Sequence, residues 1–351
     1  MIMRNFDYRK LKNSTWNTEI VNYISQIRLL QGRQEQFLKH KPAELNRLVE
    51  IAKIQSTEAS NAIEGIRTTN TRLKQLVEAR TTPKNRDEEE IAGYRDALNV
   101  IHESFEYISL TPNYILQLHQ ILYSHNTKKP IGGKFKSVQN YISATDEQGN
   151  SVNLFTPLDP FETPIAIEKI CKEFNEAIAY MDVDPLILIP IFIHDFLCIH
   201  PFLDGNGRMS RLLTTLLLYR CGFYVGKYIS LEAKIAKYKN LYYDALSASQ
   251  AGWHTGEDDC TPFIKYILMT ILSAYRDFEE RVEIVSEKSS AIDMVRAAVQ
   301  KKIGKFKKLE IVELCPSLSA SAIEKSLKEL TDKGEITKHA SGKNTFYTRN
   351  I

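Results

Sequence analysis

The stretch HPFLDGNGRMSR, His200 to Arg211, sets a histidine, an acid, a glycine-flanked asparagine and two arginines within twelve residues. After Gly207, Met209, Leu212, Leu213, Leu216 and Leu217 recur at i, i+3, i+4, i+7 and i+8. That spacing predicts a helix with one buried face, beginning near Arg208. Gly205, Asn206 and Gly207 therefore fall at a helix N-terminus, where backbone N–H groups lack intrahelical partners and the dipole is positive. Two glycines let the backbone turn tightly and approach a ligand closely, which is how a backbone cradles phosphate. Arg208 and Arg211, at i and i+3, share one side of that helix and can reach a phosphate chain. Asp204 precedes the nest as a hard oxygen ligand suited to Mg²⁺. His200 brings a side chain that titrates near neutrality and can take a proton from a hydroxyl. Each part has a plainer reading alone: a turn, a structural histidine, a helix cap. Together, in order, they describe phosphoryl or nucleotidyl transfer without a serine or cysteine nucleophile, and they leave open which of the two groups moves.

Working outward, 351 residues suffice for two or three domains with their own cores. The 43% hydrophobic and 25% charged fractions are those of a soluble globular protein. Net charge is only +3, but residues 291–351 hold 12 Lys and Arg against 7 Asp and Glu, so the tail is where an anionic partner is expected. Cys171, Cys198, Cys221, Cys260 and Cys315 share no metal-ligand spacing and are odd in number, which argues for reduced thiols in a reducing compartment. The N-terminus lacks the apolar core of a signal peptide, and the run Leu186–Ile193 is far too short to span a bilayer. The expectation is a cytoplasmic protein with no membrane partner.

Helical periodicity dominates. One helix runs from about Leu45 through STEASNAIEG to a stop at Gly65, and the charged run Lys84–Glu90 leads into another from Ile91 to about Ile108. Pro112 opens a third. Val138–Ala144 and Ser151–Phe155 alternate as strands, with Asp146, Gln148, Gly149 and Asn150 as turn residues between them, a hairpin. Helices resume over Pro164–Met181, Pro185–Ile199, Arg208–Cys221, Leu231–Ser249 and Pro262–Val285. Three shorter helical segments, Met294–Lys302, Leu309–Leu314 and Ala320–Lys333, precede two strand-like runs, Glu335–His339 and Thr345–Thr348, the layout of a winged helix-turn-helix. GGKFKS is not a phosphate-binding P-loop, because Phe135 stands at the Ser/Thr position and Lys128 where the first glycine belongs.

HPFLDGNGRMSR matches every defined position of the Fic-family motif HxFx(D/E)GNGRxxR, and the chain is identified on it as resembling that family over roughly residues 40–285. The resemblance implies a mainly α fold: a Fic-like helical core over 96–285, with the hairpin Val138–Phe155 as a flap that aligns a target segment. An N-terminal helical region over 1–95 and a winged helix over 290–351 flank it. It implies transfer of AMP from ATP to a Ser, Thr or Tyr hydroxyl of a protein. His200 would be the base and Asp204 the Mg²⁺ ligand. Gly205, Asn206 and Gly207 would hold the α-phosphate region, and Arg208 and Arg211 the outer phosphates. Tyr242-Tyr243 resembles a tyrosine pair bordering the base, with Tyr243 the nucleotide-binding member. At the flap, Lys136 stands where relatives commonly carry arginine. SNAIEG, Ser60 to Gly65, resembles the family's inhibitory motif (S/T)xxxE(G/N). It implies that Glu64 pairs with Arg211, with Ser60 on the same helix face, and restrains the enzyme.

Alternatives remain at this level: a relative that moves another phosphate-containing group or removes AMP, or a DNA-binding regulator whose Fic-like part only senses nucleotide. The lysine cluster Lys301, Lys302, Lys305, Lys307 and Lys308, with Lys325, Lys328 and Lys333, suits either DNA phosphates or a solvated face of an interaction module. A homo-oligomer stays open.

Overall fold

A computed structural model describes residues 4–40, 42–126, 131–145, 151–284, 290–340, 342 and 345–350. Among these, fourteen α-helices and five short strands follow one another. α1 (Thr18–His40) and α2 (Pro42–Ile63) open the chain, followed by α3 (Asn70–Val77), α4 (Arg86–Ser104) and α5 (Pro112–Leu122). The hairpin β1 (Ile142–Thr145) and β2 (Ser151–Phe155) leads into α6 (Thr163–Ala179), α7 (Pro185–Ile199) and α8 (Asn206–Arg220). Then come α9 (Leu231–Lys237), α10 (Lys239–Gln250) and α11 (Thr261–Ile284). The tail holds α12 (Ala291–Gln300), β3 (Lys305–Phe306), α13 (Lys308–Leu314), α14 (Ala320–Asp332), β4 (Ile336–His339) and β5 (Phe346–Arg349).

α7 is the axle of the molecule. Every residue from Leu186 to Ile199 is buried, as expected of a helix apolar all round. α8 packs against it, and its leucines Leu212, Leu213, Leu216 and Leu217 are at most 1% exposed. The site therefore sits on two helices that are buried along almost their whole length. Around them lie α4, α5, α6 and α11, while α1 packs along α11 and α2 lies across α9 and α4.

The expected charged lead-in at Lys84–Glu90 is corrected: α4 already starts at Arg86. Asn85 caps it by accepting from the Glu88 N–H, and Asp87, Glu88 and Glu89 complement the positive helix end. At its far end the helix tightens into a 3₁₀ turn over Phe105–Tyr107 instead of running to Ile108. The expected helix over Leu231–Ser249 is two helices that break at Tyr238, whose backbone (φ −120°, ψ 40°) is not helical. α3 was not expected. It packs on α2 and α4, with Leu73, Leu76 and Ile91 forming a small apolar cluster apart from the main core.

The hairpin pairs Ile142 with Phe155 and Ser143 with Asn153, with a bulge between Ile142 and Ser143. The first strand is shorter than the expected Val138–Ala144, because residues 138–141 leave the ladder. The expected turn residues Asp146, Gln148, Gly149 and Asn150 lie outside the described residues. In the tail, three helices pack with an antiparallel sheet of order β3-β5-β4, whose first strand was not expected.

Candidate active site

α7 ends at His200 because that residue turns left-handed (φ 51°) and Pro201 cannot continue the helix. A histidine held left-handed is a local strain that surrounding structure has to enforce. The enforcers are visible. Asn140 donates from one amide to the carbonyls of both His200 (3.0 Å) and Phe202 (2.9 Å). Lys136, 3% exposed, donates to Asn140 Oδ1 (2.9 Å) and to the Ile199 carbonyl (3.0 Å), and its own N–H donates to the Pro201 carbonyl (2.8 Å). Burial pushes the Lys136 ammonium down to about 8. Lys136 thus clamps the backbone of the loop. Asn140 was not singled out from the sequence, since it lies on an irregular stretch whose spacing carries no signal.

The imidazole of His200 is held in one tautomer. Nδ1 lies 3.2 Å from the Leu197 carbonyl, so it carries the hydrogen and Nε2 keeps its lone pair. Burial lowers the pKa to about 4, so the ring is neutral at pH 7 and free to accept. His119 is fixed in the same manner. Its Nδ1 accepts from the Gly133 N–H (3.0 Å), which leaves Nε2–H to donate to the Asp204 carbonyl (3.1 Å). The ring stacks on Phe202 at 3.6 Å, and burial lowers its pKa to about 4.

Gly-Asn-Gly lies at a helix N-terminus, with α8 starting at Asn206, two residues earlier than expected. Gly205 adopts φ +84°, and a Cβ there would press on the Tyr123 hydroxyl, so glycine is required. The Asn206 side chain does not face a phosphate position. Its Oδ1 accepts from the Phe202 N–H (2.9 Å) and its Nδ2 donates to the Phe202 carbonyl (2.7 Å), stapling the loop into a ring. Arg208 is 1% exposed. Its Nη1 lies 2.7 Å from Glu90 Oε2, and its Nη2 donates to the Tyr123 hydroxyl (2.8 Å). Arg208 is therefore engaged with α4 and α5, and Glu90, read from the sequence as part of a charged lead-in, is its buried counter-ion. Asp204 stands at the rim with its side chain 42% exposed, near Arg86 (3.4 Å), and accepts from the Gly205 N–H (2.7 Å).

Arg211 is met from the opposite side by α2. Its Nε donates to Ser60 Oγ (2.8 Å), and its Nη2 donates to the Ser60 carbonyl (2.9 Å) and to Glu64 Oε1 (2.7 Å). The helical spacing read from SNAIEG thus places Ser60 and Glu64 on one partner. Glu64 Oε1 also lies so close to Gly207 that a Cβ there would collide with it. The carboxylate therefore occupies the positive end of α8, where a phosphate would be drawn. Tyr242 is buried, stacked edge-on with Phe263 and Tyr266, whereas Tyr243 is 42% exposed and contacts Tyr242 edge-on.

Asp204 is a single carboxylate ligand. Among the described residues no group of three or more His, Cys, Asp or Glu could hold a metal by itself. That donor set fits Mg²⁺, which is commonly bound through one or two carboxylates together with substrate phosphates. No helix of the described residues is long and apolar enough to cross a membrane.

Residues 109–218 match the Fic/DOC family profile. The chain is 27% identical over 236 residues to a protein adenylyltransferase Fic of Nematostella vectensis, covering 64% of this chain and 48% of that protein. It is 28% identical over 266 residues to the protein of the same name from Drosophila erecta, covering 73% and 49%. The chain thus spans about half the length of these relatives. A solved Fic family protein from Desulfovibrio desulfuricans G20 superposes with a TM-score of 0.63 at 21% identity, covering 96% of this chain and 97% of that one. A Fic domain containing signaling protein from Bacteroides thetaiotaomicron gives 0.61 at 22%, covering 77% and 100%. At those identities the likeness establishes the fold.

Proposed function

We propose, from the premise that this chain carries a Fic domain, that it transfers AMP from ATP to a hydroxyl side chain of a protein and that Glu64 restrains the transfer. The observation that carries the proposal is the pairing of a neutral, oriented His200 with the N-terminus of α8, whose positive end Glu64 fills. His200 Nε2 takes the proton of the incoming hydroxyl, and the hydroxyl oxygen attacks the α-phosphorus. The bond from that phosphorus to the bridging oxygen breaks, and pyrophosphate leaves. Backbone N–H groups of Gly207 and its neighbours stabilise charge developing on the α-phosphate. Asp204 would hold Mg²⁺, which when bound neutralises phosphate charge. Arg211 would take the outer phosphates once Glu64 withdraws. Tyr243, half-exposed beside the buried Tyr242, would border the base.

Glu64 has two effects in this reading. It occupies Arg211, and it places a negative charge at the α8 N-terminus where phosphate belongs. ATP that still binds is held out of line for attack, and misalignment of a bound reactant is costly to rate. The domains we propose are 1–95 as the inhibitory region, 96–285 as the catalytic core and 290–351 as a winged helix. For the last, Lys307, Lys308, Lys328 and Lys338 line one cleft with Tyr347, which suits contact with DNA phosphates. Five free thiols suit a reducing cytoplasm.

The test is transfer of label from ATP to protein, comparing α- with γ-phosphate-labelled nucleotide for wild type, Glu64→Gly and His200→Ala. Label from the α position alone, stronger in Glu64→Gly and lost in His200→Ala, is the expected result. Label from the γ position would make the protein a phosphate-transferring relative and overturn the proposal.

A further inference from the structure

We infer that the inhibitory helix α2 is kept in its restraining register by a two-point clamp from the α9–α10 corner. Glu232 grips Ser56, and Lys239 grips the carbonyl of Ile63. Both would be positioning residues of the inhibited state. The inference rests on the reading that Glu64 restrains AMP transfer.

The Arg211–Glu64 contact is not by itself a firm anchor. Glu64 lies one residue past the end of α2 and its side chain is 33% exposed, so water screens the pair from the Glu64 side although Arg211 itself is buried. The phosphates of ATP compete for the same guanidinium with more charge. Something else has to hold the helix while they do.

Ser56 and Ser60 face inward at i and i+4, exposed by 3% and 0%, and Glu64 follows at i+8. One turn of helix before the Ser60–Arg211 contact, Ser56 Oγ donates to Glu232 Oε2 at 2.7 Å. Glu232 is 3% exposed, and its other hydrogen-bond donors are hydroxyls as well: Tyr94 (3.0 Å) and Ser230 (3.1 Å). A buried carboxylate served by neutral hydroxyls needs all of them, because each one withdrawn leaves charge unsolvated in a poor dielectric. Lifting α2 takes Ser56 away from Glu232, so the buried charge opposes the helix's departure. At the other end, Lys239 Nζ donates to the Ile63 carbonyl at 2.6 Å. That is the last residue of α2, where helix carbonyls are unpaired and the dipole is negative, so an ammonium there is a charged cap. It fixes the backbone from which Glu64 reaches toward Gly207. The two grips straddle Ser60 and come from helices that meet at Tyr238.

Ser56→Ala and Lys239→Met test the clamp, each made in the wild type and in Glu64→Gly. Loss of a hydrogen bond to a charged group should raise α-label transfer of the wild type on the order of tenfold, and Ser56→Ala should change nothing once Glu64 is gone. Amide hydrogen exchange over residues 57–66 should quicken by a similar factor in both single variants, with the rest of the chain unaltered. A purely structural role would instead lower transfer in both backgrounds. That outcome, or unchanged exchange over 57–66, overturns the clamp. If Glu64→Gly transfers no label, the functional reading fails separately, and the exchange result alone still decides whether α2 is clamped.

Discussion

The loop His200–Arg211 and the tail are both rich in cations, yet they treat them in opposite ways. In the loop, Arg208 and Arg211 are 1% and 3% exposed, and each has fixed partners: Glu90, Tyr123 and Asp204 for the first, Ser60 and Glu64 for the second. In the tail, Lys308 pairs with Glu324 and Lys333 with Glu329 on side chains that are all more than two-fifths exposed. A charge taken out of water must be met by a specific partner, and the sequence around it is then constrained in position. A charge left in water is worth ~0–1 kcal/mol in any one pairing, so the lysines of the tail act as a field. The loop is a mechanism written residue by residue, whereas the tail is a surface property.

The largest effects should therefore fall in the loop. In the Glu64→Gly background, His200→Ala should cut α-label transfer by about 10³-fold, the scale of a general base, with the thermal midpoint little changed. A variant that kept a tenth of the activity would show that the hydroxyl loses its proton elsewhere. Glu90→Gln strikes at Arg208 from the α4 side and should cost about 3 kcal/mol of stability in denaturant unfolding, because it leaves a guanidinium buried without its counter-ion. If the midpoint barely moved, Arg208 would be less dependent on Glu90 than its burial indicates. Glu64→Gly should act in the other direction, raising transfer by on the order of 100-fold while leaving the fold intact.

The difference between the two regions also explains what could be read in advance. The leucine spacing of α8, the glycines of the nest and the i, i+4 relation of Ser60 to Glu64 are local patterns, and local patterns survive in a linear sequence. Glu90 was hidden because it lies in Asp87–Glu90, where four acids in a row read as a solvated face, and only tertiary packing buries two of them, Glu88 against Arg72 and Glu90 against Arg208. Asn206 was assigned to phosphate through the family resemblance, but its amide closes a five-residue ring on Phe202, a contact that depends on the turn at His200. Asn140 was illegible, and Lys136 was legible only as standing where relatives carry arginine, its contacts being hidden for a related reason. Their target is the backbone of residues 199–202, some sixty positions away, and backbone acceptors leave no mark in a sequence. The break at Tyr238 escaped because the apolar period continues across it while the backbone does not.

The pH dependence separates oriented from ordinary histidines. With His200 lowered to about 4, the acid limb of kcat/KM for Glu64→Gly should lie near 4, and activity should be level from about pH 5.5 to 8. A limb near 6.5 would mean a solvated imidazole. His119, at about 4, and His102, at about 3, are likewise neutral in the fold and titrate near 6.5 when unfolded. The unfolded chain thus binds more protons in that window. The stability these groups contribute is complete above about pH 6.5 and is lost progressively as pH falls toward 4.

The smallest effects belong to the tail, and they are expected to be graded. Lys307, Lys328 and Lys338 border the same cleft on three different elements, so no single one of them can define a contact. Replacing Lys328 or Lys338 by alanine should weaken binding of a mixed-sequence DNA duplex by only about threefold to tenfold, and should lower the slope of log affinity against log salt by about one per lysine. AMP transfer by the same variants should be unchanged, because neither lysine touches the catalytic loop or α2. Affinity that is lost abruptly with one lysine, or that ignores salt, would mean that the tail holds a defined site with a fixed register. Its charges would then be addressed one by one, as those of the loop are, and the distinction between a written mechanism and a charged surface would fail on its weaker side.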